Sequence, residues 1–595
     1  MISEFLVDLN DKQREICLSK ENLLVTSCPG SGKTRTLIYK IAYTLLTSSS
    51  IKRIIAITYT NRAADEIMKR LLTIGVDYSR VWVGTIHQFC LDFILNRFRM
   101  YNPNISKEFS IIDERISNQY LSEIAKKNGV SIGYDNKPNL RTDRDLKPLE
   151  VNEKFKPIIR EYYQKLKENK EIDFDMILSH SINILKKSEL ICSAIKNSIE
   201  LICIDEYQDT QDLQYAIIEK IYNSNMNVPM QINFFGDPNQ AIFDSLGGCV
   251  KTLTDLNSEF IDRSFKEVFL TGCYRSPQNI IDFYTNFMTV PYQIESKING
   301  TGDIFYSDNI SKDNMYENIA NIVDYYLKEG IKENEICIVA PTWSFLFPLS
   351  TKLKNYLPNV SFDAPDITPI KREPLNIFYN ISYLALTMPK LNTHLYRIKV
   401  ASDIISKINN YIICDVGNIN LLNHINSIRI DESDGVEYLK KVIDEVLNFF
   451  NIKDINHFDS LKKEYDMFFE KIEFRISSNN LSRDISIFKK MYSEKNGVVV
   501  NTIHGIKGEE YKVVIGYGIL DSKIPSIYTP IAKREETANK LLYVLASRCK
   551  EHLILFSEIR YTKKSGRFIE DKCSRYFSDK PLIYTKFFSN KDFWV

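Results

Sequence analysis

Residues 27–34 read SCPGSGKT, a spacing suited to gripping the phosphates of a nucleotide. Gly30 and Gly32 lack the Cβ atoms that would hold phosphate oxygens away from backbone N–H groups. In such a loop Lys33 reaches the β- and γ-phosphates and the Thr34 hydroxyl ligates Mg²⁺. Ser27, Cys28, Pro29 and Ser31 complete the turn, Ser27 standing where Gly or Ala is usual. Residues 201–210, LICIDEYQDT, set four apolar residues fit for a buried strand directly before Asp205 and Glu206. Carboxylates after a strand ordinarily belong to a solvated loop. Beside a phosphate cradle they acquire a chemical use: Asp205 holds Mg²⁺ directly or from its outer sphere, and Glu206 is the base that orients the attacking water.

Three further segments fit the same reaction. GDPNQA at 236–241 offers Gln240, whose neutral amide can contact a γ-phosphate or its water. CYRS at 273–276 and LYVLASR at 542–548 supply Arg275 and Arg548. By itself a Gln after a strand is structural, and an isolated Arg is a solvated surface charge. Two Arg in a second core facing the phosphate loop of the first would instead close over the γ-phosphate and couple hydrolysis to domain motion.

These residues need a scaffold, and the apolar patterning predicts one. Strands are expected at 22–26, 54–58, 81–85, 201–204 and 232–235, most followed by a helical stretch, and a strand next to that of the phosphate loop is expected to end in Asp205. Alternation of this kind implies a parallel sheet with helices on both faces. A second α/β pattern starts near 269 and resumes at 498–501, 513–516 and 553–556. Charged helical stretches interrupt both halves. The expected division is core 1 at 1–95 and 198–268 with an insertion at 96–197, then core 2 at 269–376 and 491–595 with a compact insertion at 377–490. Within that insertion Val436, Leu439, Ile443, Val446, Leu447 and Phe450 share one helical face behind a start at Asp431, Ser433 and Asp434.

Bulk properties narrow the class without naming it. A chain of 595 residues exceeds one hydrophobic core, and 77 Lys+Arg against 76 Asp+Glu leave a net charge of +1, so any nucleic-acid channel must be locally basic. The 11 Cys form no CxxC pair and several stand in apolar runs, as in a reducing compartment. The 7 His lack zinc-site spacing. No run approaches a membrane span and the first residues lack a signal pattern, so a cytoplasmic location with no membrane partner is expected.

In its motif series the chain resembles the UvrD/Rep/PcrA-like superfamily 1A DNA helicases. Matching segments run in family order: LNDKQ (9–13), SCPGSGKTR, ITYTNRAADEI (57–67), VGTIHQF (83–89), DEYQDT, GDPNQAIF, CYRSPQNI, NTIHGIKGEEY (501–511) and LLYVLASR. The resemblance implies two RecA-like cores, each with a mainly helical insertion, and ATP with Mg²⁺ between them. It further implies Gln13 on adenine, Tyr274 stacked against it, Glu510 on the ribose, and Arg35 with Gln240, Arg275 and Arg548 around the phosphates. For single-stranded DNA it points to Tyr59, Asn61, Arg62, Thr85, His87, Phe243, Thr502 and His504. Aromatic faces stack on any base, and Thr, Asn and Arg hold phosphates without reading sequence.

Two functions follow from the resemblance. One is ATP-driven 3′–5′ translocation with unwinding of 3′-tailed duplex. The other is a DNA-sensing ATPase with weak unwinding, partnered by a nuclease in an antiphage defence complex, as compact relatives such as the Gabija helicase are. Departures from the family bear on the choice. Asp244, Ser245, Leu246, Gly247 and Gly248 replace a segment that usually carries a stacking Trp and an Arg, and Thr537 and Ala538 stand where paired acids are common. The stretch after Arg548 leaves little room for a nuclease domain.

Overall fold

The computed structural model describes residues 6–587, apart from 106–108, 134–136, 151, 226, 364–367, 372, 374, 390–392, 480, 491, 493–496 and 565–566. Two parallel sheets organise it. The first contains β1 (Asn22–Ser27), β2 (Arg53–Ile57), β3 (Val81–Gly84), β4 (Ile199–Asp205), β5 (Gln231–Gly236) and β6 (Phe265–Leu270), in the order β3-β2-β4-β5-β1-β6. Every residue of β1 is buried, as befits a parallel strand with neighbours on both sides and helices on both faces.

Two features differ from the sequence reading. The strand ending in Asp205 is not adjacent to β1, because β5 lies between them, paired on one side with β4 and on the other with β1. The first sheet also runs past the expected changeover at 268, since Phe269 and Leu270 pair with Thr26 and Ser27. Edge strand β6 buries Phe265, Val268 and Leu270 while Lys266 faces solvent, so its mixed pattern covers the otherwise open side of β1.

The second sheet contains β7 (Asp303–Ser307), β8 (Ile336–Ala340), β9 (Phe362–Asp363), β10 (Val498–Thr502), β11 (Tyr511–Gly516), β12 (Cys549–Phe556) and β13 (Thr585–Lys586). Its order is β9-β10-β8-β11-β12-β7-β13, parallel throughout. Among the described residues no helix is long and apolar enough to cross a membrane.

Each helical segment has its own core. Helices Glu114–Lys127 and Lys156–Glu168 pack through Ile116, Leu121, Ile158, Tyr162 and Leu166. Helix Gly435–Phe449 buries Val436, Leu439, Ile443, Val446 and Leu447 against Phe488 and Ile472. Asp434 caps it, accepting hydrogen bonds from the N–H groups of Val436 (2.8 Å) and Glu437 (3.1 Å). Ion pairs join the two helical segments: Lys471 meets Asp113 at 3.1 Å, and Arg115 meets Glu470 at 3.5 Å.

Candidate ATP site and nucleic-acid channel

The phosphate loop leaves the carboxyl end of β1 and enters helix α2 (Lys33–Thr47), while helix α1 (Asp11–Leu18) lies beside it. Gly30 has φ 74° and Gly32 φ 78°, in the left-handed region that favours glycine. Space forbids a side chain as well. A Cβ on Gly30 would lie 2.5 Å from Arg275 Cβ, and one on Gly32 would lie 2.8 Å from Gln13 Nε2. The Tyr274 N–H donates to the Gly30 carbonyl at 2.9 Å, so the loop is bonded directly to the Arg275 segment. Gly30→Ala should cost about 1–2 kcal/mol in backbone strain alone. Thermal melting with and without ATP should show a lowered Tm and a smaller shift by ATP; a Tm equal to that of the wild type contradicts this packing.

No side chain caps α2 at Gly32, which leaves the first-turn N–H groups directed at the loop, where an anion satisfies them. Lys33 Nζ lies 3.0 Å from Asp205 Oδ1 and also pairs with Glu206. Burial alone would raise the Glu206 carboxyl, but the charges of Lys33 and Lys507 outweigh it and bring the group down to about 2. Burial raises Asp205, with Lys33 opposing. Glu206 sits at φ 55°, ψ 45°, a left-handed backbone that a non-glycine residue holds only under constraint. The donor set suits Mg²⁺: the Thr34 hydroxyl in the first turn of α2 and the Asp205 carboxylate, 4% exposed, are hard oxygen ligands beside the cradle.

From the other core, Arg548 Nη2 donates to Gln240 Oε1 at 2.7 Å, and Gln240 Nε2 donates to Asp237 Oδ2 at 2.7 Å. Arg548 is 1% exposed; burial, then the neighbouring Arg275, lower its pKa to about 10, which leaves it charged at neutral pH. Arg275 Nε bonds Glu510 Oε2 at 2.8 Å, and its Nη1 bonds the Ser547 carbonyl at 2.7 Å. Glu510 also pairs with Lys550 at 2.8 Å. Burial works against the Glu510 charge, yet Arg275 and Lys550 hold its carboxyl down at about 2. Gln240, Arg275 and Arg548 thus meet on one cleft.

Several of its residues escaped the sequence reading. Asp237 accepts from the hydroxyls of Tyr292 (3.1 Å) and Tyr543 (3.2 Å), both past the end of the first sheet at Leu270. Lys507 reaches back to Asp209 at 2.6 Å and to the Gln240 carbonyl. These partners lie from 55 to 306 positions apart in sequence, so no local spacing announces them.

On the side expected to take the base, Gln13 forms a capping box with Asn10 and donates from Nε2 to the Ser31 carbonyl at 2.9 Å. Asn10 Nδ2 in turn donates to the Tyr274 hydroxyl at 3.0 Å, and Tyr274 remains 48% exposed. Arg35 pairs with Asp8 at 3.6 Å and lies over the Tyr39 ring.

The expected DNA contacts gather along the carboxyl edges of both sheets. Tyr59 and Phe243 stack with centroids 4.8 Å apart, and Phe243 meets His504 at 5.7 Å, so three rings from distant segments form one aromatic run. Lys507 Nζ lies over Phe243 at 5.2 Å. His87 packs edge-on against Phe174 at 5.4 Å. Asn61 opens helix α3 (Asn61–Ile74), and Arg62 beside it reaches across the cleft to Glu509. Two hydroxyls have local duties: Thr85 Oγ1 accepts from Gln88 N at 3.4 Å, and Thr502 Oγ1 accepts from Gly505 N at 3.2 Å.

In the divergent segment, residues 244–246 form one 3-10 turn ended by Gly247 at φ 89°, with Leu246 53% exposed. Gln211 donates to the Leu246 carbonyl at 2.8 Å, and a Cβ on Gly247 would lie 2.1 Å from Arg141 Nη1, so an Arg of the first insertion rests on this turn. The Ser245 side chain lies outside the described residues. Helix Arg534–Ala546 buries Ala538, and Lys540 pairs with Glu536 at 2.6 Å and with Asp244 at 3.5 Å.

Comparison with known proteins agrees with this arrangement. Residues 9–261 match the UvrD/REP helicase N-terminal domain, and residues 418–559 match the UvrD-like helicase C-terminal domain. A probable DNA helicase II homolog of Mycoplasma capricolum is 24% identical over 95% of this chain and 87% of its own length. The ATP-dependent DNA helicase PcrA of Staphylococcus epidermidis is 23% identical over 96% of this chain and 86% of its own, and that of Staphylococcus aureus 22% over 93% and 84%. Matched in both halves and similar to these relatives over nearly its full length, the chain belongs to the UvrD-like superfamily 1A helicases.

Proposed function

We propose that this ATP-dependent DNA helicase moves 3′ to 5′ along single-stranded DNA, using ATP hydrolysis at the cleft between its two cores. The observation that best supports the reading is the Arg548–Gln240 bond, which ties a buried cation of one core to the amide of the other beside the phosphate loop. Lys33 and the uncapped start of α2 bind the phosphates, Glu206 orients water, and Arg275 with Arg548 meets the charge that develops on the transferred group. Thr34 and Asp205 would hold Mg²⁺, which would supply positive charge against the nucleotide phosphates. Opening and closing of the cleft then alternates the grip of the Tyr59/Thr85/His87 side and the Thr502/His504 side on the strand.

The turn at 244–246 favours a second reading, a DNA-sensing ATPase with weak intrinsic unwinding that works beside a nuclease in antiphage defence. Phe243 is there without a stacking Trp, and each lost base platform removes about 1–3 kcal/mol of strand contact. Both readings are tested by one pair of measurements on the purified chain: ATPase rate with and without single-stranded DNA, and displacement of 3′-tailed against 5′-tailed duplexes. We expect DNA-stimulated turnover and preference for the 3′ tail. Faster displacement from the 5′ tail overturns the polarity, and stimulated ATPase with negligible displacement selects the sensor.

A further inference from the structure

Three consecutive strands, β3, β2 and β4, end side by side, and beneath their carboxyl ends lies a cavity of about 50 Å³. Its walls join two sites. Thr85 and His87 follow β3 and Tyr59 follows β2, all on the proposed DNA side; Asp205 at the end of β4 belongs to the nucleotide side. Thr58 sits between them. Its N–H donates to the Gly84 carbonyl at 3.0 Å, fixing it to the end of β3. The side chain is 2% exposed, and Oγ1 has no hydrogen-bond partner among the described residues.

A buried hydroxyl is nearly always partnered in a native protein, by protein or by ordered water. Two other hydroxyls on the wall are engaged elsewhere. The Thr85 hydroxyl already caps its helix, and the Tyr215 hydroxyl donates to the Tyr207 carbonyl at 2.7 Å. A cavity with several polar groups holds water where an apolar one stays dry, and this volume has room for one or two molecules at about 30 Å³ each. His87 is kept neutral by burial, with its pKa lowered to about 4, so its ring can donate through one nitrogen and accept through the other.

We propose that water held in this cavity bonds Thr58 Oγ1 and bridges His87 to the Asp205 carboxylate, making Thr58 a positioning residue that couples occupancy of the DNA channel to ATP hydrolysis. The inference rests on the proposed reading of a DNA-stimulated ATPase. A strand that shifts Tyr59, Thr85 or His87 changes the geometry of the bridge, and with it the orientation of Asp205.

The test compares Thr58→Val with Thr58→Ser in the full chain, using an oligo-dT strand as the DNA. Thr58→Val keeps the shape and removes the hydroxyl. It should lower the ratio of ATPase kcat with DNA to kcat without it by about tenfold, within the usual range of coupling between sites. ATP KM and DNA Kd should stay near wild type, and Thr58→Ser should restore the ratio. An unchanged ratio in Thr58→Val overturns the coupling role while leaving the DNA-stimulated reading intact. So does a parallel fall of both rates, or a Thr58→Ser variant as defective as Thr58→Val. A wild-type rate that DNA does not raise overturns the underlying reading and this inference with it.

Discussion

Glu206→Gln is expected to bind ATP and turn over almost none of it. The substitution keeps the shape of the side chain and removes its charge. The charges of Lys33 and Lys507 hold Glu206 below the usual carboxylate range, so it is an anion at neutral pH able to accept a hydrogen bond from the attacking water; ATP that engages Lys33 frees the carboxylate to act as base. The amide can orient water but cannot accept the proton, and loss of a general base costs about 10²–10⁴ in rate. Binding should survive because Lys33 retains Asp205 at 3.0 Å and the uncapped α2 terminus is untouched. The check is steady-state ATPase at saturating single-stranded DNA together with titration of a fluorescent ATP analogue. A kcat within threefold of wild type removes Glu206 from the reaction; weakened nucleotide binding assigns it to the ground state instead.

The largest expected loss follows from Arg548→Ala. If the guanidinium meets the charge of the transferred phosphoryl group, its removal costs about 10³–10⁵ in kcat, or about 4–7 kcal/mol of barrier. Its surroundings also predict that Lys will not replace it. Arg548 donates to the Val544 carbonyl (3.1 Å), the Ser547 hydroxyl (3.0 Å) and Gln240 Oε1 (2.7 Å) at once, which requires a planar fork. Arg548→Lys therefore keeps the charge yet should remain severely impaired. Thermal melting separates catalysis from folding, because truncation also leaves Gln240 Oε1 without its donor. A loss below tenfold in both variants takes Arg548 out of the site.

Features carried by a few neighbouring residues could be read directly from the chain. The phosphate loop is visible because glycine spacing, Lys33 and Thr34 all lie within one turn. The helix at 435–449 is visible because Asp434 and the 3.6-residue period agree. Strand order is different in kind, since nothing within 199–205 says that β5 will separate it from β1; pairing is decided by which edges remain open as the sheet assembles. The edge strand at 265–270 is not visible in the sequence, where Lys266 and Glu267 weaken the apolar signal, and the expected boundary at 268 cuts through it. Asp237, Tyr292, Tyr543 and Lys507 were illegible because each acts through a partner from the other core. Tyr59, Phe243 and His504 were each named from short motifs, but their joining into one aromatic run is a property of the folded cleft.

The order in which the two sheets close has a consequence for synthesis. The last strand of the first sheet ends at Leu270, so every strand of that sheet is synthesised before the first strand of the second. The second sheet begins at Asp303, yet β8 at 336–340 takes its neighbours from 498–502 and 511–516, beyond the whole second helical segment. Domains generally fold as units during elongation, the earlier ones first. The first core can thus be complete, its phosphate loop already bonded at Gly30 to the Tyr274 backbone, while β8 still waits with unpaired edges for strands not yet translated. In that interval β8, every residue of which is buried in the finished sheet, lacks its cover, and the 377–490 helices, with an apolar core of their own, are the part able to fold meanwhile and shorten the effective distance between the strands that must find each other.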